Sequence, residues 1–139
     1  MCDSSIPGRN DGLLADETLE WLQVTLAARA ELPAFVCFHH PPVTLGMPFI
    51  DGIRQFRAER LAAVVERHPQ VVALLCGHAH TAAVSTFAGR PLVAAPGVVS
   101  TSMLPFETDA IIDFQQPPMI AFHLLDDERR LTTHYRVIV

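Results

Sequence analysis

Residues 36–46, VCFHHPPVTLG, and residues 74–81, LLCGHAHT, decide the reading of this chain. Each is an apolar run that stops abruptly at histidine. The apolar stretches AFVCF (34–38) and VVALLC (71–76) are short, continuous and β-rich, the pattern of strands buried on both faces. Pro41, Pro42 and Gly46 then make a loop after the first, and Gly77 lets the backbone turn after the second.

Working outward, ADETLEWLQVTLAARAEL (15–32) reads as a helix. Asp16 is its expected cap, and Leu19, Leu22 and Leu26 recur at helical spacing with Trp21 on the flank. FRAERLAAVVERH (56–68) is a second amphipathic helix, with Leu61, Val64 and Val65 inward and His68 as a cation at its end. AAVSTF (82–87), a turn at Gly89–Pro91 and LVAA (92–95) suggest a hairpin within a β-meander. Residues 103–118 look irregular, and MIAFHLL and LTTHYRVIV close the chain as strands around the solvated turn Asp126–Arg130. Helix–strand alternation followed by strands predicts an α/β (α+β) fold, one mixed sheet with helices on one face. In such sheets ligands bind beyond the carboxyl ends of the strands, where both histidine groups fall.

Bulk composition bounds the function. At 139 residues the chain is expected to form a single domain over 1–139. Half its residues are hydrophobic, yet no run approaches the ~20 apolar residues of a membrane span, so no membrane role is expected. A net charge of −5 without a basic block argues against nucleic acid. Cys37 and Cys76 lie in apolar runs and read as small buried hydrophobes. The odd count of three cysteines and the absence of a leader-like N-terminus fit a cytoplasmic setting.

His78 and His80 flank Ala79, a spacing that lets two imidazoles reach one metal or two neighbouring ones. His39–His40 adds one ligand, or a donor beside it. Alone each pair is a weak signal; together, both at the ends of buried strands, they point to a site for a divalent ion such as Mn, Fe or Zn. His123 and His134 read as satisfied strand residues.

FHHPPVTLG and CGHAHT, separated by a helix and a strand, resemble the C-terminal half of calcineurin-like metallophosphoesterases. The likeness is to the branch of class III cyclic-nucleotide and glycerophosphodiester phosphodiesterases, and DSSIPGRNDGLLADETLEWL (3–22) extends it. The resemblance implies part of an αββα sandwich and a two-metal site acting on a small phosphodiester. By position, His39 and His78 would bind one metal and His80 the other, with His40 outside them or facing substrate.

The same family carries Asp-x-His, Gly-Asp and Gly-Asn-His motifs upstream. None occurs here, and Asn10 is the only asparagine. Half the ligand set, including the bridging carboxylate, is therefore absent. At most one metal is expected in this chain, and catalysis by the chain alone is not. The partner that would complete it is a missing N-terminal segment or a second copy in a homodimer. The rival reading is a non-catalytic metal-binding or structural module that needs a partner chain.

Overall fold

A computed structural model describes all residues, Met1–Val139. Its centre is a four-stranded mixed sheet ordered β1-β2-β4-β3. Strands β1 (Ala34–Cys37) and β2 (Val71–Cys76) are parallel, with Phe35 opposite Ala73 and Cys37 opposite Leu75. Their crossover carries α2 (Pro48–Gly52) and α3 (Glu59–Glu66). Parallel pairing brings both carboxyl ends, and so both histidine groups, to one edge of the sheet.

β3 (Ala83–Phe87) and β4 (Arg90–Ala94) form the expected hairpin. Its two-residue turn, Ala88-Gly89, has positive φ at both positions (49° and 71°), which matches the twist of the flanking strands. The order is not a meander, however. β4 folds back parallel to β2, leaving β3 at the sheet edge. Short β5 (Thr101–Ser102) and β6 (Ile112–Asp113) pair within the segment expected to be irregular. β7 (Met119–Leu125) and β8 (Leu131–Val137) form a separate antiparallel pair.

The helices lie on one side of the sheet. Leu19, Leu22 and Leu26 of α1 (Asp16–Ala27) share one core cluster with Leu61, Val64 and Val65 of α3 and with Val36, Leu74 and Leu92 of the strands. At 25 cal/mol per Å2, each such side chain contributes roughly 1.5–3 kcal/mol on burial. Asp16 does not cap α1. The N-cap is Ala15, without a side-chain hydrogen bond, and Asp16 instead pairs with Arg60 of α3. The helix also stops at Ala27, well before Pro33, and a turn fills the gap. The opposite sheet face is covered in part: Ala73 and Val93 are buried, Cys37 and Leu75 half-buried, and Phe35 and Val84 exposed. No helix is long and apolar enough to cross a membrane.

Candidate metal centre

The segment after β1 runs straight into His39, His40 and two buried prolines. The segment after β2 turns sharply. The N–H of Gly77 donates to the carbonyl of His39 at 3.0 Å, tying the two loops together. His78 and His80 then take left-handed backbone conformations, φ 64° and 48°, on either side of fully buried Ala79. Neither is glycine, so each costs on the order of 1–2 kcal/mol of strain. Strain of this kind persists where surrounding structure over-determines it, and it recurs at functional sites.

This backbone gathers three rings. His39, His40 and His78 each offer a ring nitrogen, and these nitrogens lie within 4.8 Å of one another. Ring centroids stand 4.8 Å apart for His39–His40, 5.0 Å for His39–His78 and 4.4 Å for His40–His78. Nδ1 of His78 faces Nε2 of His39 at 3.3 Å. Two nitrogen lone pairs at that distance repel unless a hydrogen or a cation lies between them. Tetrahedral zinc with Zn–N bonds of about 2.0–2.1 Å sets its imidazole nitrogens roughly 3.3–3.4 Å apart, so the spacing fits a shared ion. Nε2 of His78 is buried without any hydrogen-bond partner. An ion held through Nδ1 would leave that Nε2 to the nearby Ile53 carbonyl, which acts on the same ring.

Electrostatics keep these rings in the neutral form that a metal needs. Burial pushes His78 down to about 4, helped by His40, His39 and His80, against a small opposing effect of the Ile53 carbonyl. Burial, then His80, lowers His39. Burial, then His39, lowers His40, while the Asn10 carbonyl, Asp11 and Asp3 oppose it.

His80 stands outside the three-ring group. Its Nδ1 lies 2.8 Å from the hydroxyl of buried Ser100, leaving Nε2 free. His40 is held the same way: its Nδ1 lies 2.8 Å from the hydroxyl of buried Ser4, which also accepts from the His40 backbone N–H. Two glycines permit these approaches. A Cβ on Gly12 would lie 2.5 Å from the His40 ring, and one on Gly97 would lie 1.9 Å from the Ser100 carbonyl. Nothing in the sequence spacing marked Ser4 or Ser100, because each meets its histidine only through the fold.

The remaining histidines are elsewhere. Nδ1 of His123 bonds the Thr133 hydroxyl at 2.9 Å across β7–β8. His134 lies by the Arg136 guanidinium. His68 is not the helix-end cation expected of it: it is 6 % exposed, and burial, then Arg67, lowers its pKa. Cys76 is an inert buried thiol, pushed up to about 12 by burial.

No protein-family model matches the chain. Individual relatives do. The chain is 34% identical over 134 residues to a probable glycerophosphodiester phosphodiesterase GpdQ of Arcobacter nitrofigilis, covering 95% of this chain and 49% of that protein. It is 31% identical over 137 residues to the 3',5'-cyclic adenosine monophosphate phosphodiesterase CpdA of Pseudomonas aeruginosa, covering 99% and 50%. A dimetal phosphatase from Danio rerio shares the fold, with a TM-score of 0.50 and 21% identity over 62% of this chain and 28% of that one. The chain thus spans about half the length of the curated relatives it matches along nearly all its residues. Along nearly all its residues it is therefore similar to about half of a glycerophosphodiester or cyclic-nucleotide phosphodiesterase, on a fold it shares with a dimetal phosphatase.

Proposed function

We propose that this chain is the C-terminal, histidine-bearing half of a metal-dependent phosphodiester hydrolase, with a cyclic nucleotide or a glycerophosphodiester as substrate. The observation that carries the reading is the facing of His78 Nδ1 and His39 Nε2 at 3.3 Å. His39 and His78 would hold one divalent ion (Mn, Fe or Zn) through those two nitrogens, and His80 a second through Nε2. When bound, such ions polarise a phosphoryl oxygen and lower the pKa of bound water. The chain's own residues supply position: Ser4 fixes the His40 ring, Ser100 fixes the His80 ring, and the strained turn at Gly77–His80 sets where both imidazoles emerge. His40, the buried member of the three-ring group, would orient a ligand or the phosphate.

Charge decides how much of this the chain does alone. Three imidazoles are neutral. Two divalent ions 4 Å apart repel by about 4 kcal/mol even in water, and more in a partly buried site. The acidic groups around the site have other partners: Asp51 accepts from the backbone N–H groups of Leu45, Gly46 and Met47, Asp11 from Arg9, and Asp3 from the Ser5 N–H. The chain therefore takes at most one ion by itself and is inactive until a carboxylate-bearing partner, an N-terminal segment or another chain, completes the site. A non-catalytic metal-binding module remains the second reading, favoured by the same lack of acidic ligands.

Turnover of bis(p-nitrophenyl) phosphate with added manganese tests this. The isolated chain should show none, and addition of the N-terminal half of a relative such as GpdQ should restore it. Turnover by the isolated chain that His78→Ala abolishes would instead establish a mononuclear hydrolase. Metal binding with no restored turnover would favour the non-catalytic module.

A further inference from the structure

The amino-terminal segment and the α2–α3 connection are tied together by backbone hydrogen bonds. The N–H of Gly12 donates to the Arg54 carbonyl at 3.1 Å, and the N–H of Phe56 donates to the Gly12 carbonyl at 2.8 Å. Between the two segments lies a cavity of about 290 Å3, at the small end of ligand sites. Ile6, Leu13 and Phe56 give it an apolar lining, and Arg9, Asp11 and Arg57 give it charge. No histidine lines it, and it is separate from the metal cluster.

The cations around it are held but not used up. Arg9 donates from Nε and Nη2 to the two carboxylate oxygens of Asp11, at 2.7 and 2.6 Å. That pairing fixes the guanidinium and offsets the Asp11 charge, yet it leaves the Nη1 donors free. Arg57 forms no ion pair. Its φ of 53° is left-handed although it is not glycine, a strained conformation of the kind that recurs at functional sites. Arg54 stacks on Phe56, 4.7 Å from the ring centroid, and its Nη1 donates to the Asp51 carbonyl at 2.6 Å. Three guanidiniums thus gather around one carboxylate, so the local charge is positive in a chain whose net charge is −5.

The lining says what would enter it. A neutral apolar molecule would leave the guanidiniums unmatched. A bare inorganic anion would leave Ile6, Leu13 and Phe56 uncovered. A carboxylate brings a single negative charge. A phosphomonoester brings close to two, with three strong acceptor oxygens for the Nη1 donors of Arg9 and the fork of Arg57. We propose that this cleft binds a phosphomonoester carrying a compact apolar or aromatic body, at a site that needs no metal. The inference stands apart from the phosphodiesterase reading of the histidines, since it uses none of their atoms.

The test titrates the metal-free, isotopically labelled chain with phenyl phosphate, inorganic phosphate, benzoate and benzyl alcohol. Phenyl phosphate should shift the amide signals of residues 9–13 and 54–57 and saturate in the millimolar range. The other three should each bind there at least fivefold more weakly. Arg57→Glu should weaken phenyl phosphate at least tenfold, and Arg57→Lys, which keeps the charge but loses the fork, should weaken it less. His78→Ala should leave it unchanged, which separates this cleft from the histidine cluster. Signals that do not move at those residues, or that move only at residues 39–40 and 78–80, would overturn the assignment. Benzoate, inorganic phosphate or benzyl alcohol binding as tightly as phenyl phosphate would overturn it as well. The ligand series needs only the unsubstituted chain, so it decides the matter even where Arg57→Glu does not fold.

Discussion

His39 and His78 are 39 residues apart in sequence and 3.3 Å apart between Nε2 and Nδ1. The parallel pairing of β1 and β2 creates this proximity, because it delivers two strand ends to one sheet edge. A single hydrogen bond from Gly77 to His39 then locks the two loops in register. The contact between the rings is thus a property of topology, while its chemistry belongs to the imidazoles.

The first expectation concerns that contact. Titrating zinc or manganese by calorimetry at neutral pH, His39→Ala and His78→Ala should each weaken binding of the single ion at least tenfold, and His80→Ala, whose ring stands outside that pair, should weaken it less. His68→Ala, His123→Ala and His134→Ala should change it less than threefold, since these rings lie away from the cluster. Equal losses at all six positions would mean adventitious surface binding and would end the metal assignment.

Much of this was legible in the sequence, and the reasons are specific. VVALLC carries no polar residue and reads as a buried strand, and its observed limits match the apolar run, although Val72 and Leu75 are only half-buried. The hairpin turn was legible from Gly89. The order β2-β4-β3 was not, since short strands of similar composition do not encode which neighbour they choose. α2 was hidden because Pro48 and Gly52 bracket a single turn of helix and read as loop; Pro at the first helical position is compatible with both. Within the site, the histidines announced themselves by position. Their serine partners, 36 and 20 residues away, did not, because a hydroxyl becomes informative only once its neighbour in space is known.

Ala88 offers a test of the fold alone. Its φ of 49° in the β3–β4 turn is a conformation that asparagine adopts at less cost than alanine. Ala88→Asn should stabilise the chain by about 0.5–1 kcal/mol, or roughly 2–4 °C in Tm for a domain of this size. A thermal melt that moves down would show that the turn is not of this type.

His68 sets a pH dependence distinct from the site. It is buried, its Nε2 has no partner, and its folded pKa is depressed below the ordinary 6.5. Between the folded and unfolded values the unfolded chain binds more protons, so stability rises with pH across that window. The contribution is fully present above about 6.5 and is lost as pH falls through that value towards the folded pKa. His68→Gln should flatten the slope of unfolding free energy against pH between 6.5 and 5, by up to about 1.4 kcal/mol per pH unit. An unchanged slope in urea titrations would mean that the ring is protonated in the native state.

Asp51 holds the loop that leads into α2. Its carboxylate accepts from the N–H groups of Leu45 at 2.7 Å, Gly46 at 3.1 Å and Met47 at 3.0 Å. Hydrogen bonds to a charged acceptor contribute about 1.5–3 kcal/mol each before non-additivity. Asp51→Ala should therefore destabilise the chain by about 2–3 kcal/mol and speed amide hydrogen exchange at residues 45–47, while Asp51→Asn should lose less. Exchange unaltered at those three amides would show that the loop holds its shape without the carboxylate.

The last expectation is association. The helices cover one face of the central sheet; on the other, Phe35 and Val84 are exposed, at 36% and 65%. The β7–β8 pair adds Ile120, Phe122 and Leu124, alternating along one face of β7 and all exposed. On that face they sit opposite Arg136, His134 and Thr132, too few polar groups to shield three large apolar side chains. Apolar surfaces of this extent on a small domain mark an interface. The isolated chain should accordingly run as a dimer or larger species in light scattering, or carry a bound polypeptide through purification. Phe122→Lys should shift it towards monomer, because a charge cannot be buried unpaired in such a contact. A monodisperse monomer without any co-purifying peptide would show that these faces tolerate water, and the requirement for a covering partner would be withdrawn.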